Sequence, residues 1–375
     1  MPVSFVKQIK LPKSDFLKPI HNKRQLISFD LELTARCNNN CRHCYINLPS
    51  NDKQVKKKEL TLLEIKNIVD QTVDLGALWC LLTGGEPLLR EDFFDIYLYL
   101  KKKGLLISVF TNATLLTAKH IEFFKKYPPR DIEITVYGTT KETYEKVTRN
   151  KGSFNAFLSG VNLLLSNGIK TRFKAMALRS NVNELPRISA FCRKRTKDYF
   201  RFDPFLHMRF DGDKKRNAEI QSERLDSKKI ITIEQNDPER KQALKKDCNN
   251  LIIPELANLN CNHIFHCDAG TKSFTISYDG YFKLCSSLCH PDCILDLKKE
   301  TLLQAWQYFV PQVRNNRSTK KDFLKKCHVC PLFNLCIWCP AHSYLETGAL
   351  DMPVDYFCEV AHAREKMLLE PAIIT

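Results

Sequence analysis

The sequence predicts an α/β fold: a parallel sheet built from six strand–helix repeats, followed by a smaller cysteine-rich region. Two observations carry this expectation. Between residues 27 and 210, short apolar runs alternate with helix-length amphipathic segments, the pattern of right-handed β–α–β units. Beyond residue 260, ten of the chain's 16 cysteines fall between Cys261 and Cys358, a density that points to metal-organised structure.

The elements follow in order. Ile27–Thr34 reads as the first strand. Leu60–Leu75 reads as a helix, because Thr61 followed by Glu64 makes a capping box and Gly76 stands just past its end. Leu78–Thr83 is the second strand, Glu91–Lys103 a helix and Leu105–Phe110 the third strand. Thr117–Tyr127 is helical and Asp131–Tyr137 the fourth strand. Phe154–Asn167 is a helix stopped by Gly168, Lys170–Leu178 the fifth strand, Glu184–Arg195 a helix and Tyr199–Pro204 the sixth strand. Residues 211–260 are charged and poor in strand signals, and read as a helical bridge. The expected division is an N-terminal extension (1–26), the repeats (27–210), the bridge (211–260), the cysteine-rich domain (261–360) and a C-terminal tail (361–375).

Length and composition bound the function. A chain of 375 residues, 43% of them hydrophobic, is long for one domain and can bury sizeable cores. No apolar run reaches the roughly 18 residues of a membrane span, and the N-terminus lacks an apolar signal core, so a cytoplasmic protein is expected. Cysteines in such a compartment favour metal ligation over disulfides. The formal charge of +16 raises nucleic acid as a partner. The lysines and arginines are spread over many segments, however, and no basic stripe is interleaved with aromatics. Neither a nucleic-acid nor a membrane partner is expected.

Two short motifs carry chemistry. Cys37, Cys41 and Cys44 follow the first strand with the spacing C-x3-C-x2-C. Structural zinc sites and ferredoxin-type clusters take four protein ligands. Three cysteines this close can hold three irons of a [4Fe–4S] cube and leave the fourth iron open. Gly84-Gly85-Glu86-Pro87 follows the second strand directly. Together these motifs resemble those of the radical S-adenosylmethionine (SAM) enzymes. The resemblance implies a partial (β/α)6, TIM-like barrel with its chemistry at the C-terminal ends of the strands. By that resemblance Cys37, Cys41 and Cys44 hold the cluster, and His43 lies near the adenine. Gly84 and Gly85 let backbone approach the ligand. Glu86 accepts from the SAM ammonium, and Pro87 opens the next helical turn. Ile134-Thr135-Val136-Tyr137-Gly138 resembles a family segment whose hydroxyl contacts SAM, which gives Thr135 that role. Arg149 matches an arginine that meets the SAM carboxylate, and Asn112, after the third strand, assists.

The C-terminal cysteines resemble the SPASM domain. Cys261, Cys267 and Gly280-x4-Cys285 precede Cys327-x2-Cys330-x5-Cys336-x2-Cys339 and a final Cys358. The family's last spacing in the central block is x3, and here it is x2. The resemblance implies two auxiliary [4Fe–4S] clusters, one on Cys261, Cys267, Cys285 and Cys339, the other on Cys327, Cys330, Cys336 and Cys358. With the SAM-binding cluster that makes three, and they would lower the formal charge to about +11. A pair of zinc ribbons is the alternative for the same cysteines. Cys80, Cys192 and Cys248 read as ordinary thiols, as do Cys289 and Cys293, for which a substrate-facing or ligand-swapping role is the alternative.

The resemblance implies a SAM-cleaving oxidoreductase that oxidises or cross-links a ribosomally made peptide. The alternative is a radical SAM enzyme acting on a small metabolite or cofactor precursor. A non-catalytic iron–sulfur carrier would have no use for Gly-Gly-Glu-Pro. Formylglycine-forming relatives place an aspartate directly after the cysteine of G-x4-C, where this chain has Ser286, which speaks against that activity. Only 36 residues precede Cys37, so a separate leader-peptide-binding protein is the expected partner, with flavodoxin or ferredoxin as external electron donor.

Overall fold

The computed structural model describes residues 24–251 and 262–369. Cys261, most of the expected N-terminal extension, the end of the bridge and residues 370–375 lie outside the described residues. Six strands, β1 (Ser28–Thr34), β2 (Trp79–Gly84), β3 (Leu106–Thr111), β4 (Asp131–Val136), β5 (Thr171–Met176) and β6 (Arg201–Asp203), lie side by side in chain order. All five pairings between them are parallel. The longer helices between them are α1 (Leu62–Asp74), α2 (Phe93–Lys102), α3 (Ala118–Lys126), α4 (Lys141–Thr148), α5 (Ser153–Ser166) and α6 (Leu185–Arg195). This is the α/β class expected. The capping box at α1 is present: Thr61 Oγ1 accepts from the Glu64 amide at 3.2 Å, and Glu64 accepts from the Thr61 amide at 2.7 Å.

Side-chain alternation divides the sheet into two faces. On β1, Phe29, Leu31 and Leu33 are buried in the main apolar core, while Asp30, Glu32 and Thr34 occupy the opposite positions. On β4 to β6 those opposite positions carry Glu133 and Thr135, Lys174 and Met176, Arg201 and Asp203. The helices therefore cover an oily face, and the other face presents polar groups.

The cysteine-rich segment is not separate from this sheet. Strand β7 (Ser273–Ile276) pairs parallel with β1, and β8 (Tyr281–Lys283) and β9 (Ile294–Asp296) follow antiparallel. The sheet thus runs β9-β8-β7-β1-β2-β3-β4-β5-β6, and the division expected near residue 260 is no break in it. Phe29, Phe274 and Phe282 pack in a row across these strands, with ring centroids 6.0 and 4.9 Å apart. All three are essentially fully buried, and each contributes about 1.5–3 kcal/mol by leaving water.

The bridge is helical, with α7 (Lys214–Glu223), α8 (Ser227–Gln235) and α9 (Pro238–Leu251). Two helices close the chain, α10 (Pro340–Thr347) and α11 (Asp355–Leu369). The tail expected from residue 361 is, as far as Leu369, the second half of α11. Its Arg364 is buried and meets the fully buried Glu234 of α8 through two bonds of 2.7 and 3.0 Å. Arg240 adds a third at 3.0 Å. This ion triad pins α11, and with it Cys358, to the bridge.

Candidate active site

The loop that leaves β1 carries Cys37, Cys41 and Cys44, and the structure brings all three to one cavity of about 280 Å³ at the C-terminal ends of the strands. Few of the loop's own residues form regular structure, so outside groups hold its shape. The Asn40 and Arg42 amides donate to the carbonyls of Thr148 and Val147 at the end of α4, at 2.8 and 3.1 Å. Asn112, just past β3, donates to Asn38 Oδ1 at 2.9 Å and to Cys37 Sγ at 3.7 Å. Arg216 of α7 donates to the Cys41 carbonyl at 3.0 Å, and Arg209 to the Cys44 carbonyl at 3.3 Å. Three elements far apart in the chain therefore fix the directions of the three thiols.

Burial, reinforced by Glu86 and Cys44, pushes the Cys37 thiol up to about 12. Burial and the two neighbouring cysteines raise Cys41 well above the ordinary thiol range. Thiols crowded this way hold their protons until a cation compensates them, the behaviour expected of a metal-cluster cradle.

The glycine pair does something the sequence reading did not anticipate. A Cβ on Gly84, whose φ is +119°, would stand 2.3 Å from the Thr34 carbonyl oxygen, and one on Gly85 would stand 2.2 Å from that of Arg36. The Gly85 and Glu86 amides donate to these same carbonyls at 2.6 and 2.9 Å. Both glycines line the cavity, but their first contact is with the chain itself. They let the end of β2 lie against the strand that launches the cysteines.

Glu86 is fully buried and turned inward. One carboxylate oxygen accepts from Thr111 Oγ1 at 2.8 Å and the Leu88 amide at 3.1 Å, and the other from the Asn112 amide at 2.8 Å. Burial pushes it up to about 7. These bonds make it a strut that ties β2 to β3. Pro87 starts a single 3-10 turn, Pro87–Leu89, and is buried. His43, Asn112 and Thr135 line the cavity. Arg149 does not: its guanidinium is held by Glu219 through a bond of 3.0 Å and a second, shorter one, and donates to the Asn40 carbonyl at 3.0 Å. It thereby clamps the cysteine loop to α7.

The later cysteines gather in two places. Cys285 lies within electrostatic reach of Cys339 and Cys267. Cys327 is likewise close to Cys336, Cys330 and Cys358. Cys289 stands apart, 3.6 Å from Lys283 Nζ, and Cys80, Cys192 and Cys293 are core thiols. Among the described residues, no three His, Cys, Asp or Glu side chains converge on a single ion; thiolates around a cluster bind separate irons and stand further apart.

The sequence pattern of the radical SAM superfamily matches residues 31–191, from β1 to α6. The match takes in the cysteine loop and the Gly84-Gly85-Glu86-Pro87 turn. The chain spans less than half the length of the first curated relatives it matches. An AdoMet-dependent heme synthase of Methanosarcina barkeri is 31% identical over 44% of this chain and 46% of its own. The subtilosin biosynthesis protein AlbA of Bacillus subtilis is 30% identical over 46% of this chain and 36% of its own. A probable GTP 3′,8-cyclase of Methanococcus maripaludis aligns over 81% of this chain and 95% of its own, at 24% identity. Among solved structures, Streptococcus suis SuiB bound to its precursor peptide SuiA shares the fold at a TM-score of 0.65 and 14% identity, over 89% of this chain and 76% of that one. AdoMet-bound anSMEcpe shares it at 0.64 and 14%, over 91% and 96%. The mixed α/β architecture, with its large parallel sheet, is thus shared with these two structures. The family uses a [4Fe–4S] cluster and SAM.

The cavity fits those groups. Three thiols face it from one loop, and its wall holds buried polar atoms without a partner among the described residues, Asn39 Nδ2, His43 Nδ1 and His207 Nδ1. Buried polar atoms are rarely left unpaired, so these call for a polar ligand. Sequence reasoning missed the supports, Asn38, Arg209 and Arg216, and the charged wall formed by Glu133, Lys174, Arg201 and Asp203. Only the alternation of charged residues along β4 to β6 signalled that wall, and the same pattern describes any half-exposed strand. No helix among the described residues is long and apolar enough to cross a membrane.

Proposed function

We propose that this chain is a radical SAM oxidoreductase that modifies a ribosomally made peptide. The observation that carries the reading is the convergence of Cys37, Cys41 and Cys44 with the Gly84-Gly85 turn on one cavity. Bound there, cluster and SAM supply a 5′-deoxyadenosyl radical that takes a hydrogen atom from a substrate carbon. The three thiolates hold the cluster, and Asn112 orients Cys37 through its amide. His43 and Asn39 offer their unpartnered nitrogens to the nucleoside, and Thr135 offers its hydroxyl from β4. Glu86 keeps the floor rigid by joining β2 to β3, and the barrel wall shields the radical from water. Cys267, Cys285 and Cys339, with Cys261, hold one auxiliary cluster; Cys327, Cys330, Cys336 and Cys358 hold the other.

SuiB binds a precursor peptide, and AlbA serves bacteriocin biosynthesis, which supports a peptide substrate here. The runner-up is a small metabolite or cofactor precursor, favoured by the likeness to a heme synthase and to a cyclase aligned over nearly its whole length. Anaerobic reconstitution tests the reading. The holoprotein should carry about 12 irons and release 5′-deoxyadenosine from SAM with dithionite. A Cys37/Cys41/Cys44 triple alanine variant should keep roughly two-thirds of the iron and release none. Precursor peptides should emerge short of a pair of hydrogens or cross-linked. Failure to fragment SAM rejects the enzyme, and unchanged peptides beside a converted small molecule reject the peptide.

A further inference from the structure

The cavity wall carries one cation, Arg201, with no partner among the described residues. In the register of the sheet, Thr135 on β4 lies beside Lys174 on β5, and Lys174 beside Arg201 on β6. All three line the cavity. Lys174 is satisfied, with its ammonium 2.6 Å from Glu133 and 3.8 Å from the centre of the Phe110 ring. Arg201 is not: its guanidinium makes no hydrogen bond, ion pair or ring contact among the described residues, although it faces the cavity. Asp203, the next residue on the same side of β6, also lines the wall but forms no ion pair with it. Asp203 turns one oxygen to the Phe205 amide at 3.0 Å instead.

Exposed arginines are ordinarily just solvated. This one differs by its place. It shares a row with the threonine assigned to SAM, and β6 is the outermost strand of the parallel run, so no further strand closes the sheet beyond it. A guanidinium offers a planar pair of donors that matches a carboxylate, and such charge-assisted pairs are the strong ones. Glu133 is already committed to Lys174, and Asp203, on the same side of β6, forms no ion pair with Arg201 among the described residues.

We infer that Arg201 anchors a carboxylate of the substrate next to the reacting carbon. This rests on the radical-enzyme reading of the cavity and narrows the substrate to one bearing an acid: an Asp or Glu side chain in a peptide, or the carboxylate of a small molecule. The holoenzyme, reconstituted anaerobically and saturated with SAM, is titrated calorimetrically with three probes. Two are blocked pentapeptides identical except for a central Glu or Gln, and the third is glutarate. The Glu peptide should bind at least about tenfold tighter than the Gln peptide. Arg201→Gln should erase that preference, and Arg201→Lys should keep part of it. Iron content verifies that each variant is folded and loaded. Arg201-dependent binding of glutarate alone supports the anchor and assigns a small-molecule acid, against the peptide. Equal binding of the Glu and Gln peptides, a preference that survives Arg201→Gln, or no binding by any probe overturns the anchor. The peptide reading is scored separately, by product from precursor peptides.

Discussion

Replacing Gly85 by alanine should unseat the SAM-site cluster while leaving most of the protein intact. The added methyl would meet the Arg36 carbonyl oxygen at 2.2 Å, the Ala35 carbonyl oxygen at 2.6 Å and the Arg36 carbonyl carbon at 2.7 Å. All three are backbone atoms, so no side-chain rotation relieves the overlap. Reaching a tolerable separation moves one strand end by roughly 1 Å, at a cost of about 1–3 kcal/mol. Arg36 is bonded to Cys37, so the displacement passes directly to the first ligand. Constellations of this kind need to be held within about 0.5 Å, and a 1 Å misplacement can cost on the order of 100-fold in rate. After anaerobic reconstitution, iron per chain should fall by roughly a third and 5′-deoxyadenosine formation by about 100-fold. Gly104→Ala is the control. Gly104 also has positive φ, +83°, but nothing stands within 4 Å of its added Cβ. It should lose about 1 kcal/mol of stability and no iron. If Gly85→Ala retains a full complement of iron and fragments SAM at the native rate, the proposed seating of β2 against the cysteine loop is wrong.

Three further outcomes are expected. Glu32 is buried beside Lys283 and pushed up to about 7, chiefly by desolvation. Its folded pKa lies above its unfolded one, so the native state binds the extra proton and stability falls as pH rises through 7. From pH 6 to pH 8 the wild type should lose about 1.4 kcal/mol relative to Glu32→Gln. Chemical denaturation of the two at both pH values checks this, and parallel pH profiles would refute it. Arg364→Met strands the buried Glu234 with Arg240 as its remaining partner and should destabilise by about 2–4 kcal/mol. Because Cys358 shares α11, iron should fall as well; unaltered melting and iron would contradict the pinning role of the triad. Thr135→Val should weaken SAM binding several-fold, by the loss of about 1 kcal/mol of hydrogen bonding, whereas Thr135→Ser should not. Equilibrium dialysis with labelled SAM separates them.

The repeats and motifs were legible because each is written locally. The 61–64 capping box, the terminating Gly76 and the apolar strand runs all act within a few residues of their own position. The cysteine spacings are equally local. What stayed hidden depends on long-range packing. That β7 docks on β1 follows from Phe29 meeting Phe274 across 245 positions, and nothing in either segment announces the other. Motif matching fixes position but not direction, so the internal partners of Glu86 and Arg149, the Asn112 amide and Glu219, could not be read from the motifs. Arg201 was invisible because its meaning lies in the carboxylate it does not meet.

The pairing of β7 with β1 has one more consequence. The backbone of Phe29 to Leu31 is bonded on one side to the barrel and on the other to the cysteine-rich segment. A chain severed near residue 260 would leave that strand with a bare row of amides and carbonyls, beside aromatic rings stripped of their cover. Such a fragment should stick to itself rather than persist as a minimal enzyme. The two halves are inseparable by scissors, whatever the ledger of their cofactors suggests.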